Sequence, residues 1–260
     1  MNLVHAKSTM ADLEWETRVD LAACYRLVDL FGMCDMHLNH ISARVPGSHD
    51  HFLINPFGMM YEEITASCLL KVDLAGKVLA NANPEYTINL PGYVIHSAIH
   101  GARPDVACVL HTHTNAGMAV ASLKTGLLPL TQTAMRFAKV AYHDFEGVVV
   151  EMDEQKRLVE NLGDADVMIL RNHGLLAVGR TIGEAFANIY RLERACQTQL
   201  LAMACNAELS IPPDAVIARS NAQLQLSSSP DAKGKRRAHG SIEWPALKRM
   251  LDRRDPSYKT

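Results

Sequence analysis

The stretch Cys108-Val109-Leu110-His111-Thr112-His113-Thr114 constrains this chain more than any other. It is an apolar run that ends in two histidines one residue apart. Side chains of a β-strand alternate between faces, so His111 and His113 point the same way with Cα atoms roughly 6.5–7 Å apart. Two imidazoles at that separation suit one metal ion. A second buried-type strand, Val167-Met168-Ile169-Leu170, runs directly into Arg171-Asn172-His173-Gly174 and places a third imidazole at a strand end. Three imidazoles with an open coordination position make a catalytic zinc or iron site. Chance is the competing explanation in a chain with 12 histidines; the placement at two strand ends argues against it.

The remaining composition narrows the partners. With 260 residues, 48% of them hydrophobic, the chain fits one large domain or two small ones with a sizeable core. A formal charge of -2 gives no electrostatic footprint for nucleic acid or an anionic membrane, so neither is expected. The N-terminus lacks a basic-then-apolar signal pattern and no apolar run approaches a membrane span, which predicts a cytoplasmic protein. Cys24, Cys34, Cys68, Cys108, Cys196 and Cys205 are scattered singly, without a C-x-x-C pair, and read as reduced thiols.

Residues 1–15 show no periodic pattern and are expected to form a loose arm ahead of a main domain over 16–218. Val19, Ala22, Ala23, Leu27 and Leu30 recur at helical spacing between Glu16 and Phe31, and Gly32 stands where a C-terminal cap belongs. Alternation over 39–45, a Pro46-Gly47 turn and His51–Ile54 predict a hairpin in an antiparallel sheet. Asn55-Pro56-Phe57-Gly58 reads as a turn, Glu62–Thr65 as a brief helical segment, and Leu69–Asp73 as a strand that Gly76 turns into Lys77-Val78-Leu79. Pro91 can open a helix that runs to Gly101 and leads into the histidine strand. His96 and His100 share one face of that helix. They form a rival metal pair, but no Glu follows the first histidine as a metalloprotease helix requires, so a structural or supporting role is expected.

Residues 115–123 read as helix and Lys139–Tyr142 as a strand, followed by a polar cluster at 142–146 that either faces the metal or is a solvated loop. Thr181 with Glu184 three residues on has capping-box spacing and opens a long helix to Cys205, of the kind that packs along a sheet or a neighbouring subunit. The Ser-, Gln-, Lys- and Gly-rich composition of 219–240 predicts a flexible linker. Trp244, Leu247, Met250 and Leu251 then predict that 241–260 docks as a short helix.

His-Thr-His at 111–113, Arg-Pro-Asp at 103–105 and Asn-His-Gly at 172–174 stand in one order, and in this the sequence resembles the class II aldolase/adducin family over roughly residues 18–207. The resemblance implies an α/β fold, a three-layer α/β/α sandwich around a mostly antiparallel mixed sheet. It further implies a divalent metal on His111, His113 and His173, most often zinc with iron or manganese as alternatives, and a homotetramer with sites between subunits. Aldolases of the family use the metal to polarise a carbonyl oxygen. They carry Ser-Ser-Glu before the helix that leads to the histidine strand, for phosphate binding and proton abstraction. Here Leu90, Pro91 and Gly92 stand there; none can donate a side-chain hydrogen bond or accept a proton. The sequence looks closer to the adducin head domain and its bacterial relatives, without adducin's basic tail.

The expected function is therefore a metal-dependent lyase or decarboxylase acting on a small oxo- or hydroxy-acid, in place of a sugar-phosphate aldolase. A non-haem Fe(II) oxygenase and a non-catalytic, adducin-like assembly domain are the alternatives. Candidates for the replacement base are Glu85, His96, His143 and Glu146. The candidate substrate-binding set is Asn39, Ser42, Asn55, Gly58 and Tyr142.

Overall fold

The alternating apolar runs fold into β1 (His40–Arg44), β2 (His51–Ile54), β3 (Leu70–Asp73), β4 (Val78–Ala80), β5 (Cys108–Thr112), β6 (Ala141–His143), β7 (Val167–Leu170) and β8 (Gly174–Gly179). The structure is a computed structural model that describes residues 9–137, 139–147, 152–226 and 239–260. All eight strands join one sheet in the order β4-β3-β2-β1-β5-β8-β7-β6. Every pairing is antiparallel except β6 with β7. The helices are α1 (Met10–Leu30), α2 (Leu90–Ala102), α3 (Asn115–Ala121), α4 (Gln132–Met135), α5 (Met152–Leu162), α6 (Ile182–Ala204), α7 (Asp214–Leu226) and α8 (Glu243–Arg254).

The period of two sorts the strand residues onto two cores. Ile41, Ala43, Cys108, Leu110, Ile169 and Ala177 pack with Leu21 and Leu27 of α1, Phe186 and Ile189 of α6, and Trp244 of α8. Val109, Met168, Leu170, Leu176 and Val178, which alternate with them, pack with Tyr93 and Ile99 of α2 and Leu158 and Leu162 of α5. This is the expected three-layer sandwich. The β1–β5 pairing sets His40 opposite His111 and Ser42 opposite Val109, so His40 and Ser42, with Arg44 next in the alternation, share the face that carries α2. Among the described residues no helix is long and apolar enough to cross a membrane.

Two segments differ from the sequence expectation. The helix expected from Glu16 begins at Met10: Thr9 accepts the Asp12 N–H and the Asp12 carboxylate accepts the Thr9 N–H, a capping box whose third residue is Asp rather than Glu. Its first turns are largely exposed, so no apolar period marks them. Residues 10–15 of the expected arm are thus helical, and residues 1–8 lie outside the described ones. Within the expected linker, residues 219–226 belong to α7, which is fastened by amides: Asn221 donates to the Met135 and Arg136 carbonyls and Gln225 to that of Arg136. Residues 227–238 of that linker lie outside the described residues. In the segment 241–260, α8 buries Trp244 and Leu251, and Asp20 accepts from the Trp244 indole and from Lys248. A 3-10 turn over Pro256–Lys259 then buries Tyr258.

Candidate metal centre

His111 is the penultimate residue of β5, His113 lies just beyond the strand, and His173 sits in the turn from β7 to β8. That turn needs two local permissions. Asn172 adopts φ +56°, a left-handed conformation that Asn tolerates better than most residues. A Cβ on Gly174 would stand 2.4 Å from the Thr112 carbonyl oxygen, so only glycine lets β8 close against β5 here. Gly174 thereby brings His173 to the other two imidazoles.

The tautomers follow from the partners. Nδ1 of His111 lies 2.8 Å from the Leu175 carbonyl, which can only accept, so the proton is on Nδ1 and Nε2 is bare. Nδ1 of His113 lies 3.3 Å from the Asp35 carboxylate, with the same consequence. The two bare Nε2 atoms are 2.7 Å apart, and that of His173 is 3.0 Å from His113 Nε2. Lone pairs facing one another do not make a hydrogen bond; the arrangement calls for a cation between them. Protons are a poor choice for that cation. Burial, the largest cause, together with the neighbouring imidazoles holds His111 well below the ordinary histidine range, and the same effects bring His173 down to about 4. Burial lowers His113 as well, against the opposing pull of Asp35. One nitrogen from each ring, all within 4.8 Å of one another, fits a divalent ion that accepts imidazole donors.

A second histidine group lies beside this one. Ser42 Oγ is 2.5 Å from His96 Nδ1 and 2.7 Å from His100 Nε2, and all three residues are buried. One hydroxyl donates to one ring and accepts from the other. The network takes up the hydroxyl of Ser42, an expected substrate contact, and Nδ1 of His96, a candidate base, while His96 Nε2 and His100 Nδ1 have no hydrogen-bond partner among the described residues. Asn39 and Asn55 are also turned inward. Asn39 Oδ1 accepts the Asp35 N–H at 2.5 Å and Asn55 Oδ1 accepts from Tyr25 at 2.8 Å. Gly58 serves its turn at φ +105°, against the Tyr86 ring. Tyr142 accepts the Leu127 N–H at 3.0 Å and carries the Arg171 guanidinium over its face at 4.3 Å.

The other three base candidates separate clearly. Glu85 is exposed in the loop after β4, and Glu146 forms a bidentate ion pair with Arg157 that holds its carboxyl below the usual range. His143 is buried, shares a small cavity with Phe145, Glu154, Arg171 and His173, and has Nδ1 on the Asn161 amide at 2.9 Å. Its Nε2 lies 3.5 Å from Glu154 and makes no hydrogen bond. The Arg103–Asp105 motif is a two-pronged ion pair at the end of α2, with Arg103 also donating to the Gly163 carbonyl; it fastens loops.

Sequence reasoning missed Asp35 and His40. Asp35 comes from an irregular loop and carried no signal. His40 stacks on His111 with ring centroids 5.7 Å apart, and its Nε2 lies 3.1 Å from the Asn89 amide. The empty position at Gly92 was the available hint.

Comparison with known proteins agrees with this geometry. Residues 19–200 match the family model described as "Class II Aldolase and Adducin N-terminal domain". A Pseudomonas aeruginosa protein provisionally named an aldolase class 2 protein is 46% identical over the whole of both chains. Alpha-adducin of Rattus norvegicus is 41% identical over 90% of this chain and 33% of its own length. The crystal structure of an aldolase II superfamily protein from Pseudomonas syringae matches with a TM-score of 0.89 at 44% identity over all of both chains. L-fuculose 1-phosphate aldolase from Glaciozyma antarctica matches with a TM-score of 0.82 at 28% identity, over 98% of this chain and 96% of that one. With its fold, its histidine cluster and these relatives in agreement, the chain belongs to the class II aldolase and adducin N-terminal domain family.

Proposed function

We propose that the protein is a metal-dependent carbon–carbon lyase or decarboxylase for a small oxo- or hydroxy-acid, with zinc held by His111, His113 and His173. The observation that carries the reading is the meeting of three imidazole nitrogens, two of them left bare by Leu175 and Asp35. A bound ion supplies Lewis-acid stabilisation of negative charge developing on a substrate oxygen. The three rings that would hold it are neutral ligands, and among the described residues Asp35 is the carboxylate that touches them, at the outer edge of His113. Such a centre favours an anionic oxygen chelator, and a carboxylate beside an oxo or hydroxyl group is the smallest that qualifies. Asp35 and the Leu175 carbonyl fix two rings, which removes the entropy of orienting them. His143 is the group we assign to move a proton, because its buried Nε2 has no hydrogen-bond partner and it shares a cavity with His173. A soluble cytoplasmic homotetramer completes the proposal.

The relationship to L-fuculose 1-phosphate aldolase supports a second reading, cleavage of a sugar phosphate. Gly92 and the exposed Leu90 at the start of α2 oppose it, since neither side chain can take a proton or bind phosphate. The relationship to adducin supports a third, a domain without catalysis. Elemental analysis of untreated protein, then melting curves with oxo- and hydroxy-acids before and after chelation, separates them. An acid should raise the melting temperature only in the metal form, because a ligand selective for the native state stabilises it. Turnover of fuculose or rhamnulose phosphates at about one per second or faster, within the usual enzyme range, would establish the second reading. Metal-free protein of unchanged stability would establish the third.

A further inference from the structure

Position 92 has no side chain, and the space beside its Cα belongs to His40. A Cβ on Gly92 would lie 2.3 Å from Nε2, 2.4 Å from Cδ2 and 2.5 Å from Cε1 of that imidazole. Non-bonded carbon and nitrogen atoms do not approach so closely. Nor is the ring free to step aside. It is 5% exposed, with its centroid 5.7 Å from the stacked His111 ring and 5.5 Å from the His96 ring, which meets it at 87°. Asn89 holds Nε2 at 3.1 Å, and the β1–β5 register fixes the backbone directly across from His111. Residues 40 and 92 therefore compete for one volume on the flank of the three-histidine cluster.

That flank is lined by His40, His96, Asn89 and Gly92, without a carboxylate among them. The acid that touches the cluster, Asp35, reaches it from the opposite edge of His113.

We propose that His40 and Gly92 are a specificity-determining pair: the imidazole fills the volume that an acidic side chain at 92 would need, leaving the metal flank without a carboxylate and receptive to an anionic, oxygen-chelating acid. The pair's role in ligand choice rests on the metal-site reading above. Its shared volume does not. The consequence is that neither residue can be changed alone to give an acidic flank; both must change together.

Four proteins test this: wild type, Gly92→Glu, His40→Ala and the double variant, each unfolded with urea in the presence of EDTA. Gly92→Glu should lower the midpoint sharply, and adding His40→Ala should recover much of the loss instead of deepening it, the signature of two residues sharing one site. Additive losses would overturn the shared volume. Zinc affinity by chelator competition, and oxalate binding by calorimetry on the zinc form, then test ligand choice. Relative to a His40→Ala/Gly92→Gln control, the His40→Ala/Gly92→Glu protein should bind zinc at least ~10-fold tighter and oxalate at least ~10-fold more weakly, a difference of about 1.4 kcal/mol each way. Equal affinities in the two double variants would overturn the specificity role. Wild-type protein that binds no zinc at all would defeat the metal reading and the specificity role with it, whereas the urea cycle would still decide the shared volume.

Discussion

His96 and His100 meet across the Ser42 hydroxyl, whereas His111, His113 and His173 meet across nothing that the described residues supply. Both groups are largely buried and all five rings are held in the neutral state. The difference lies in the sign of what faces what. In the first group one hydroxyl donates to one ring and accepts from the other, so the nitrogens that face each other are satisfied, while His96 Nε2 and His100 Nδ1 on the far edges have no hydrogen-bond partner among the described residues. In the second, Leu175 and Asp35 consume the protons and leave acceptors facing acceptors. The two histidine clusters, one from β1 and α2 and the other from β5 and the β7–β8 turn, are thus distinguished by what lies between their rings: a hydroxyl bridges the first, and the second is a socket.

The largest effect should come from emptying the socket. His113→Ala and His111→Ala are expected to reduce bound metal to background and abolish the difference in melting temperature between metal-loaded and EDTA-treated protein. His96→Asn, which keeps a donor near the Nδ1 position, should retain metal; if it also loses metal, the two clusters act as one and the comparison breaks. Next in size is the carboxylate behind His113. Asp35→Asn leaves the shape and removes the charge, and supporting groups of this kind are worth about 10–100-fold in metal affinity. An unchanged zinc dissociation constant would show that the 3.3 Å contact does not set the tautomer.

Acid sharpens the comparison from the other side. Burial brings His96 and His100 down to about 3, below the ordinary value of 6.5. The unfolded chain therefore takes up protons below pH 6.5 that the folded one refuses, so stability is full above 6.5 and falls as the pH drops towards 3. Each of these histidines should weaken the folding equilibrium about tenfold per pH unit in that window. Replacing them together by His96→Asn and His100→Gln, which preserve the contacts to Ser42, should flatten the slope of urea midpoint against pH. An unaltered slope would place the acid sensitivity elsewhere. The smallest effect is expected at Glu146, whose carboxylate is committed to Arg157 outside both clusters. Glu146→Gln should leave metal content unchanged and turnover within about twofold; a greater loss would return it to the candidate bases.

How much of this was readable in the residues depended on whether the signal was local. The His-x-His strand end, the Asn-His-Gly turn and the two apolar periods are written in consecutive residues, and the three-layer sandwich with its mixed sheet followed from them and from the family resemblance. The surroundings of the expected substrate set were less legible. Asn39, Ser42 and Asn55 looked like polar residues awaiting a ligand, but each is claimed by a group distant in sequence or in an irregular loop. His40 was passed over for the converse reason. Its face is set by period two, yet its neighbour is set by the β1–β5 register and by a missing Cβ at 92, and neither is local information.

The pairing of β1 with β5 also has a kinetic side. Residues 40–44 and 108–112 must find one another across the whole intervening chain, so this central contact is costly in loop entropy and expected to form late. His111 and His113, by contrast, are neighbours in any extended segment, folded or not. A metal ion present during refolding can therefore be chelated by the unfolded chain before His173 arrives, and binding to the unfolded state subtracts from what the ion adds to the native one. Refolding in free zinc should accordingly be slower than refolding in EDTA followed by zinc, even though both routes end at the same protein.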